Sequence, residues 1–212
     1  MPRRLTTVIT DFSKCVRDSR SLASDAYAWS VRVPPATAPL ISAKRRDSLT
    51  ELAFFRVFSA WEAFLEETFI LYMLGQHAPR GRRVRRYGFP PNEDAAYEWV
   101  ADGRDYAKWT PDHVKPRAKR LFRDGRPFEA ALTSHHNLLF QLKIVRNAIA
   151  HDSANARQKF EDLVRNELRA LPPNTTPGSF LLTIKPRTAP PVSFLEFYFD
   201  EIAEVADKIV PT

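Results

Sequence analysis

Apolar and polar positions alternate along most of the chain with a period close to that of an α-helix. Between Leu5 and Val16 apolar residues recur every three to four positions, which predicts an amphipathic helix over about residues 4 to 28. A second helix is predicted over about 48 to 75, where apolar residues cover adjoining faces as in a helix buried on most sides. Gly75 is expected to end it. The two segments predict a helical core.

Further helices are predicted from start signals and apolar spacing downstream. They follow candidate caps at Asn92, at Thr110 before Pro111, at Thr133 or Ser134, at Asp152 or Ser153, and near Ser193. One segment, 179 to 187, is flanked by Gly178 and by a pair of prolines and predicts a β-strand. The predicted fold class is therefore all-α, an antiparallel helical bundle with a possible short β element near the C-terminus.

Length and proline positions bear on domain organisation. A chain of 212 residues that is 44% hydrophobic can bury a core, and no internal repeat is present, so we expect a single domain over 1 to 212. Prolines between 30 and 41 cannot continue a helix and predict an extended link between the first two helices. Residues 76 to 130 differ in composition and are expected to be a basic insertion between core helices.

Charge and composition limit the classes of partner. The net charge of +7 favours a polyanionic partner such as nucleic acid, although a basic protein without such a role is an equal alternative at this point. A single cysteine excludes an internal disulfide. The chain has no run of about 18 apolar residues, so we expect a soluble, cytoplasmic protein without a membrane partner.

The basic insertion contains a run of arginines followed by two aromatic residues, Tyr87 and Phe89. Its candidate RNA-binding residues are Arg80, Arg82, Arg83, Arg85 and Arg86, to which the next basic helix adds Lys119 and Arg120. Guanidinium groups bind phosphates and the rings could stack on bases, as in a flexible arm that binds single-stranded RNA. The alternative is a solvated basic loop.

The sequence RNAIAH places an arginine, an amide and a histidine close together, as Arg146, Asn147 and His151. Asn147 and His151 are four residues apart, so on a helix they share a face and can hydrogen-bond. Arg146 points about 140° away from His151 at about 100° per residue. Either the helix ends between them or a second copy of the helix completes the site.

Three acids, Glu62, Glu66 and Glu67, interrupt the apolar pattern of the second helix. A carboxylate that faces a core needs a cationic or hydrogen-bonding partner. One interpretation places these acids at the solvated edge of the helix. The other pairs Glu62 or Glu66 with Arg146.

Other chemistries lack residues that could perform them. His135 and His136 are adjacent and point about 100° apart on a helix, so they make no zinc-binding pair. There is no glycine-rich phosphate loop and no serine or cysteine nucleophile motif. Neither a metal nor a cofactor is predicted. The aromatic residues are expected in the core, with Trp99 and Trp109 as possible exceptions.

The long aromatic helix LAFFRVFSAWEAFLEETFILYML and the RNAIAH motif together resemble the HEPN superfamily, in particular its RiboL-PSP and MAE-type groups. These are helical bundles that carry an arginine and a histidine separated by four to six residues, commonly with a polar residue after the arginine. The resemblance covers the helical scaffold from about residue 45 to the C-terminus. Residues 76 to 130 are longer and more basic than that pattern.

The resemblance implies a metal-independent endoribonuclease that acts as a homodimer. His151 would be the general base for the ribose 2′-hydroxyl or the general acid for the leaving 5′-oxygen. Arg146 would stabilise the charge of the transition state, and Asn147 would orient His151 or a phosphate oxygen. The products would be a 2′,3′-cyclic phosphate and a 5′-hydroxyl.

The resemblance further implies a toxin or defence context, with an antitoxin or regulatory subunit as a possible partner. Two other functions remain open. One is a non-catalytic HEPN-like module that binds RNA, a nucleotide or a protein. The other is an unrelated helical bundle in which the motif is fortuitous.

Overall fold

The computed structural model describes residues 3–31, 38–81, 83–103 and 106–212. In these residues the regular structure is helical, apart from two isolated β-bridges and a 3₁₀ turn at Arg123–Gly125, so the all-α prediction is confirmed. The helices are α1 (Leu5–Ser30), α2 (Ala43–Met73), α3 (Glu93–Ala101), α4 (Pro111–Leu121), α5 (Phe128–Ser134), α6 (His136–Ala150), α7 (Ala154–Leu168), α8 (Pro177–Leu182) and α9 (Phe194–Ile209).

Several helix ends lie where local side-chain chemistry predicts them. Asn92, Ser153 and Ser193 each accept a hydrogen bond from the backbone N–H three residues later, at 2.9, 3.2 and 3.2 Å. These bonds satisfy N–H groups that the first turn of a helix leaves without partners. Gly75 follows α2 with a φ of +90°, a conformation that glycine adopts without a steric cost.

The predicted strand over 179 to 187 is wrong, because its first half belongs to α8. Thr176 and Ser179 exchange side-chain and backbone hydrogen bonds in a capping box that starts this helix. In the described part of the chain, the β structure of this region is the single antiparallel bridge between Ile184 and Ser193. The short-range capping interaction therefore prevails over the β-propensity of the segment.

Two other predicted helix starts are displaced. The second helix begins at Ala43, ahead of its predicted start at about residue 48. Thr133 and Ser134 do not cap the motif helix, because they are the last residues of α5. The predicted link over 30 to 41 contains residues 32–37, which lie outside the described residues.

The chain divides into two compact units. The first unit comprises Met1–Lys14, Ser59–Leu139 and Ile202–Thr212, and the second comprises Cys15–Phe58 and Phe140–Glu201. A single domain therefore stays a prediction. None of the described helices has the length and apolar character needed to cross a membrane.

A cluster of aromatic rings forms part of the core of the first unit. Phe69 is fully buried, and its ring centroid lies 4.9 Å from those of Phe122 and Phe128 and 5.7 Å from that of Trp109. Trp109 is therefore a core residue rather than an exception, whereas Trp99 is 41% exposed. Three of the four clustered rings come from the segment predicted as an insertion, so that segment is integral to this core.

The second unit has its own aromatic core. The Phe180 ring stacks on Phe194 with 4.3 Å between centroids and meets the edge of Phe160 at 5.7 Å. The backbone of α8 approaches α2 closely, because a Cβ atom built on Gly178 would lie 2.4 Å from the Asp47 carbonyl oxygen. Glycine at this position therefore permits the contact between the two helices.

The same contact desolvates an acid on α2. The Gly178 N–H donates to Glu51 Oε1 at 2.9 Å. Burial raises the pKa of Glu51 above its usual value of 4.5, and the Gly178 hydrogen bond offsets part of that shift. The charged form of Glu51 is thus less favourable in the folded chain than in the unfolded one.

Replacing Glu51 with glutamine is expected to make stability less sensitive to pH. Because the folded pKa is raised, the stabilising contribution of Glu51 is complete below about pH 4.5 and is lost as pH rises through the folded value. Glu51→Gln keeps an oxygen acceptor for Gly178 and removes the charge. The melting temperature of the variant, measured relative to the original chain, should rise by a few degrees between pH 4 and pH 7.

The matched control is Asp25→Asn, at an exposed acid of α1 in the second unit. The melting temperature of Asp25→Asn, relative to the original chain, should be the same at both pH values. A Glu51→Gln difference that is the same at pH 4 and pH 7 would contradict the prediction.

Candidate active site

The RNAIAH motif lies at the C-terminal end of α6. Arg146 and Asn147 are among the last five residues of the helix, which ends at Ala150, and His151 is the first residue beyond it. The His151 backbone N–H still donates to the Asn147 carbonyl at 3.0 Å, so the helical path continues to the histidine. The separation of about 140° between the directions of Arg146 and His151 therefore applies to this site.

Arg146 is held by a neighbouring amide and by two aromatic rings. Its Nη1 donates to Asn147 Oδ1 at 3.1 Å. The guanidinium carbon lies 5.9 Å from the ring centroid of Phe55 and 5.7 Å from that of Phe58, both on α2. Ring faces attract a cation at this distance. The half-buried guanidinium is thus oriented by α2 as well as by its own helix.

His151 is exposed, in contrast to Arg146. The Asn147 side-chain oxygen, which could have accepted from the His151 ring, accepts from Arg146 instead. A charged donor makes the stronger hydrogen bond. Among the described residues no hydrogen bond to the His151 ring is present, so the ring is accessible to a ligand. Asn147 positions Arg146 rather than His151.

An exposed aromatic residue continues the face of α6 that carries His151. Phe140 is 52% exposed. Phe140, Asn147 and His151 follow one another at spacings of seven and four residues, which places them on one stripe of the helix about 40° wide. The stripe thus combines an apolar ring, an amide and an imidazole.

The acids in the apolar part of α2, Glu62, Glu66 and Glu67, are all half-buried. The Glu66 carboxylate accepts a hydrogen bond from the Tyr97 hydroxyl, and burial together with this acid raises the pKa of Tyr97 to about 12. Glu62 belongs to the first unit and Arg146 to the second. The pairing of Glu62 or Glu66 with Arg146 stays a prediction.

A cavity of about 1180 Å³ in the first unit collects most of the arginine run. Its lining includes six arginines from two separate segments, Arg80, Arg83, Arg85, Arg86, Arg123 and Arg126. Arg82, which was also predicted to bind RNA, lies outside the described residues. Together with Lys208, these side chains give the cavity a mainly cationic lining.

The two other predicted RNA-binding residues do not line this cavity. Lys119 Nζ lies 3.1 Å from a carboxylate oxygen of Glu129. Arg120 pairs with Asp102 at 3.2 Å and donates to the Trp99 carbonyl at 3.0 Å. These contacts connect α4 to its neighbours, which gives both side chains structural roles.

Sequence reasoning did not include Arg126 and Lys208 among the candidates, although both line the cavity. Lys208 is in the last turn of α9, more than 100 residues from the arginine run. No local pattern marks either residue. Their grouping depends on tertiary contacts.

Comparison of the chain with protein-family models, with curated proteins and with solved structures gives no match.

Proposed function

We propose that the protein is a HEPN-like, metal-independent endoribonuclease that acts as a homodimer. The observation that carries the proposal is the geometry at the end of α6. A fixed guanidinium, held by Asn147, Phe55 and Phe58, precedes an exposed imidazole by five residues. The first group suits a developing negative charge and the second suits proton transfer.

The proposed reaction is attack by the ribose 2′-oxygen on the adjacent phosphorus. The new bond joins the 2′-oxygen to phosphorus, and the bond from phosphorus to the 5′-oxygen breaks. His151 accepts the 2′-hydroxyl proton, or donates a proton to the leaving 5′-oxygen, because histidine changes charge near neutral pH. The products are a 2′,3′-cyclic phosphate and a 5′-hydroxyl.

Arg146 stabilises the extra negative charge on the phosphate oxygens during this step. Its orientation by Asn147 and by the two rings means that little reorganisation accompanies the reaction. In the proposed mechanism Asn147 therefore orients Arg146 and not His151.

A second copy of the chain explains how Arg146 and His151 could act on one phosphate although they point in different directions on one helix. One helix directs Arg146 and His151 about 140° apart, so two copies of α6 facing each other bring the guanidinium of one chain towards the imidazole of the other. The exposed ring of Phe140 on the His151 stripe supplies apolar surface for that contact. The second His151 can then supply the complementary acid or base.

The net charge of +7 supports RNA as the substrate, since it attracts polyanions over long distances. We place this activity in the cytoplasm, in a toxin or defence system with an antitoxin or regulatory subunit as the controlling partner.

Purified protein is expected to cleave single-stranded RNA in the presence of EDTA. Gel analysis of end-labelled RNA should show a 2′,3′-cyclic phosphate on the upstream product, and a single 2′-deoxy substitution at the cleavage site should block cleavage there. Arg146→Lys should slow cleavage by about 10²–10³-fold, because lysine lacks the planar, bidentate donor group.

Arg165→Lys is the matched control, since Arg165 is an exposed arginine of the second unit paired with Glu161 and Asp162. Its cleavage rate should stay within about twofold of the original. RNA that is retained but not cleaved would favour the non-catalytic binding module. Cleavage that survives 2′-deoxy substitution would rule out the proposed mechanism.

A further inference from the structure

The arginine-lined cavity of the first unit is concave and largely cationic. Its described lining comes from Tyr72 of α2 and from residues within 78–81, 83–89, 123–130 and 208–211. Its volume of about 1180 Å³ is slightly above the range of small-molecule sites, about 300–1,000 Å³. The cavity therefore has room for a ligand of nucleotide size.

Backbone hydrogen bonds hold the arginine segment in place. The Arg80 N–H donates to the Pro211 carbonyl at 3.2 Å, and the Arg123 N–H donates to the Arg85 carbonyl at 2.8 Å. The Tyr87 N–H donates to the Leu121 carbonyl at 2.9 Å. The cationic side chains thus start from a fixed backbone, which lowers the entropic cost of binding.

One arginine of the cavity has a structural role. Arg86 donates a hydrogen bond to the Met73 carbonyl at the end of α2, and its guanidinium lies 4.8 Å from the Phe89 ring centroid. Burial, and then the positive charge of Arg83, lower the pKa of Arg86. Arg83 and Arg86 therefore repel each other across the cavity.

The other arginines of the cavity have no carboxylate within 4.0 Å among the described residues. These are Arg80, Arg83, Arg85, Arg123 and Arg126, and all five are exposed. Asp124 is the one acid among the described residues of the lining. These neighbouring cations repel one another, and a bound anion with several charges would relieve that repulsion.

The cavity also has an apolar wall. Phe89, which is 69% exposed, lines it together with Ile209 and Pro211. An exposed ring beside guanidinium groups is the combination that binds a nucleobase joined to phosphates.

We propose that this cavity binds the polyphosphate group of a nucleotide, with the base on Phe89. A triphosphate concentrates several negative charges on three adjacent phosphates, whereas a backbone phosphodiester carries one charge. Guanidinium groups bind phosphate oxygens bidentately, so converging arginines fit the concentrated charge. The ligand is either a free nucleoside triphosphate or the 5′-triphosphate end of an RNA. This inference does not depend on the proposed ribonuclease activity.

Binding is measured by isothermal titration calorimetry of the full chain in EDTA with ATP, GTP, inorganic tripolyphosphate and AMP. The triphosphates and tripolyphosphate should bind, and AMP should bind at least tenfold more weakly. Arg83→Gln and Arg123→Gln should each weaken tripolyphosphate binding about tenfold, as expected for the loss of a charge-assisted hydrogen bond. Both side chains are exposed, so the melting temperature should stay unchanged.

Arg4→Gln is the matched control, because Arg4 is an exposed arginine of the first unit outside the cavity lining. It removes the same charge and should change affinity by less than about twofold. No binding by the original chain would overturn the proposal. So would equal weakening by Arg4→Gln and Arg83→Gln, which would show that only net charge acts.

Two further measurements identify the ligand. Phe89→Ala should weaken ATP and GTP by about fivefold or more and leave tripolyphosphate unchanged, because only nucleotides have a base to stack. Short 2′-O-methyl RNAs, which lack the attacking hydroxyl, are compared with a 5′-triphosphate or a 5′-hydroxyl. A preference for the triphosphate end that Arg83→Gln removes supports the RNA end as the ligand, and ATP binding without that preference supports the free nucleotide. If 5′-hydroxyl RNA binds best and displaces tripolyphosphate, the cavity recognises phosphodiesters and the proposal fails.

Discussion

Replacing His151 with alanine is expected to slow RNA cleavage by about 10²–10⁴-fold, the usual contribution of a general acid or base. The imidazole is the exposed member of the motif. Alanine therefore removes the proton acceptor and leaves no cavity in the core of either unit. Initial rates on single-stranded RNA in EDTA measure the effect. The melting temperature and the mass in light scattering should match those of the original chain.

His77→Ala is the matched control, because His77 is an exposed histidine outside the motif. It should cleave at the original rate. Full activity of His151→Ala would rule out the proposed role of His151. Equal losses in the two histidine variants would instead indicate an unspecific effect of the substitution.

Replacing Phe69 with alanine is expected to lower the free energy of unfolding by about 3–5 kcal/mol. The Phe69 side chain is fully buried and contacts three rings, those of Trp109, Phe122 and Phe128. Alanine leaves a void between these rings, which the surrounding helices cannot fill completely. Equilibrium unfolding in urea measures the loss as a lower midpoint.

Phe89→Ala makes the same chemical change at a ring that is 69% exposed in the same unit. It should cost less than about 1 kcal/mol, because it removes an exposed cation–π interaction with Arg86 and leaves no buried void. If Phe69→Ala costs as little as Phe89→Ala, the segment 76–130 does not pack on α2 in solution. A large difference in unfolding free energy between the two variants supports the packing of segment 76–130 in the core of the first unit.

Local interactions explain which helix boundaries could be predicted. The caps at Asn92, Ser153 and Ser193 involve a side chain and a backbone group three residues away, so the neighbouring sequence contains both partners. The strand prediction for 179 to 187 is wrong because the Thr176–Ser179 capping box starts a helix there. This signal is also local, since both of its residues lie within four positions of each other in the sequence.

The candidate catalytic residues could be chosen from their spacing, but their contacts could not. Spacing along α6 predicted that Asn147 faces His151, whereas the structure directs the Asn147 oxygen to Arg146. The rings that hold Arg146 come from α2, about 90 residues earlier in the chain. Whether the motif acts on RNA stays a prediction, to be decided by the His151→Ala and Arg146→Lys measurements.

By itself, the sequence determined the all-α class, most of the helices and the position of the RNAIAH motif at a helix end. The reason is that hydrophobic periodicity and caps act over one or two helical turns. Only the tertiary structure decided that the basic insertion supplies core rings and that Arg123, Arg126 and Lys208 join the arginine run around one cavity. Contacts between residues far apart in the chain depend on the packing of whole helices, which no local pattern encodes.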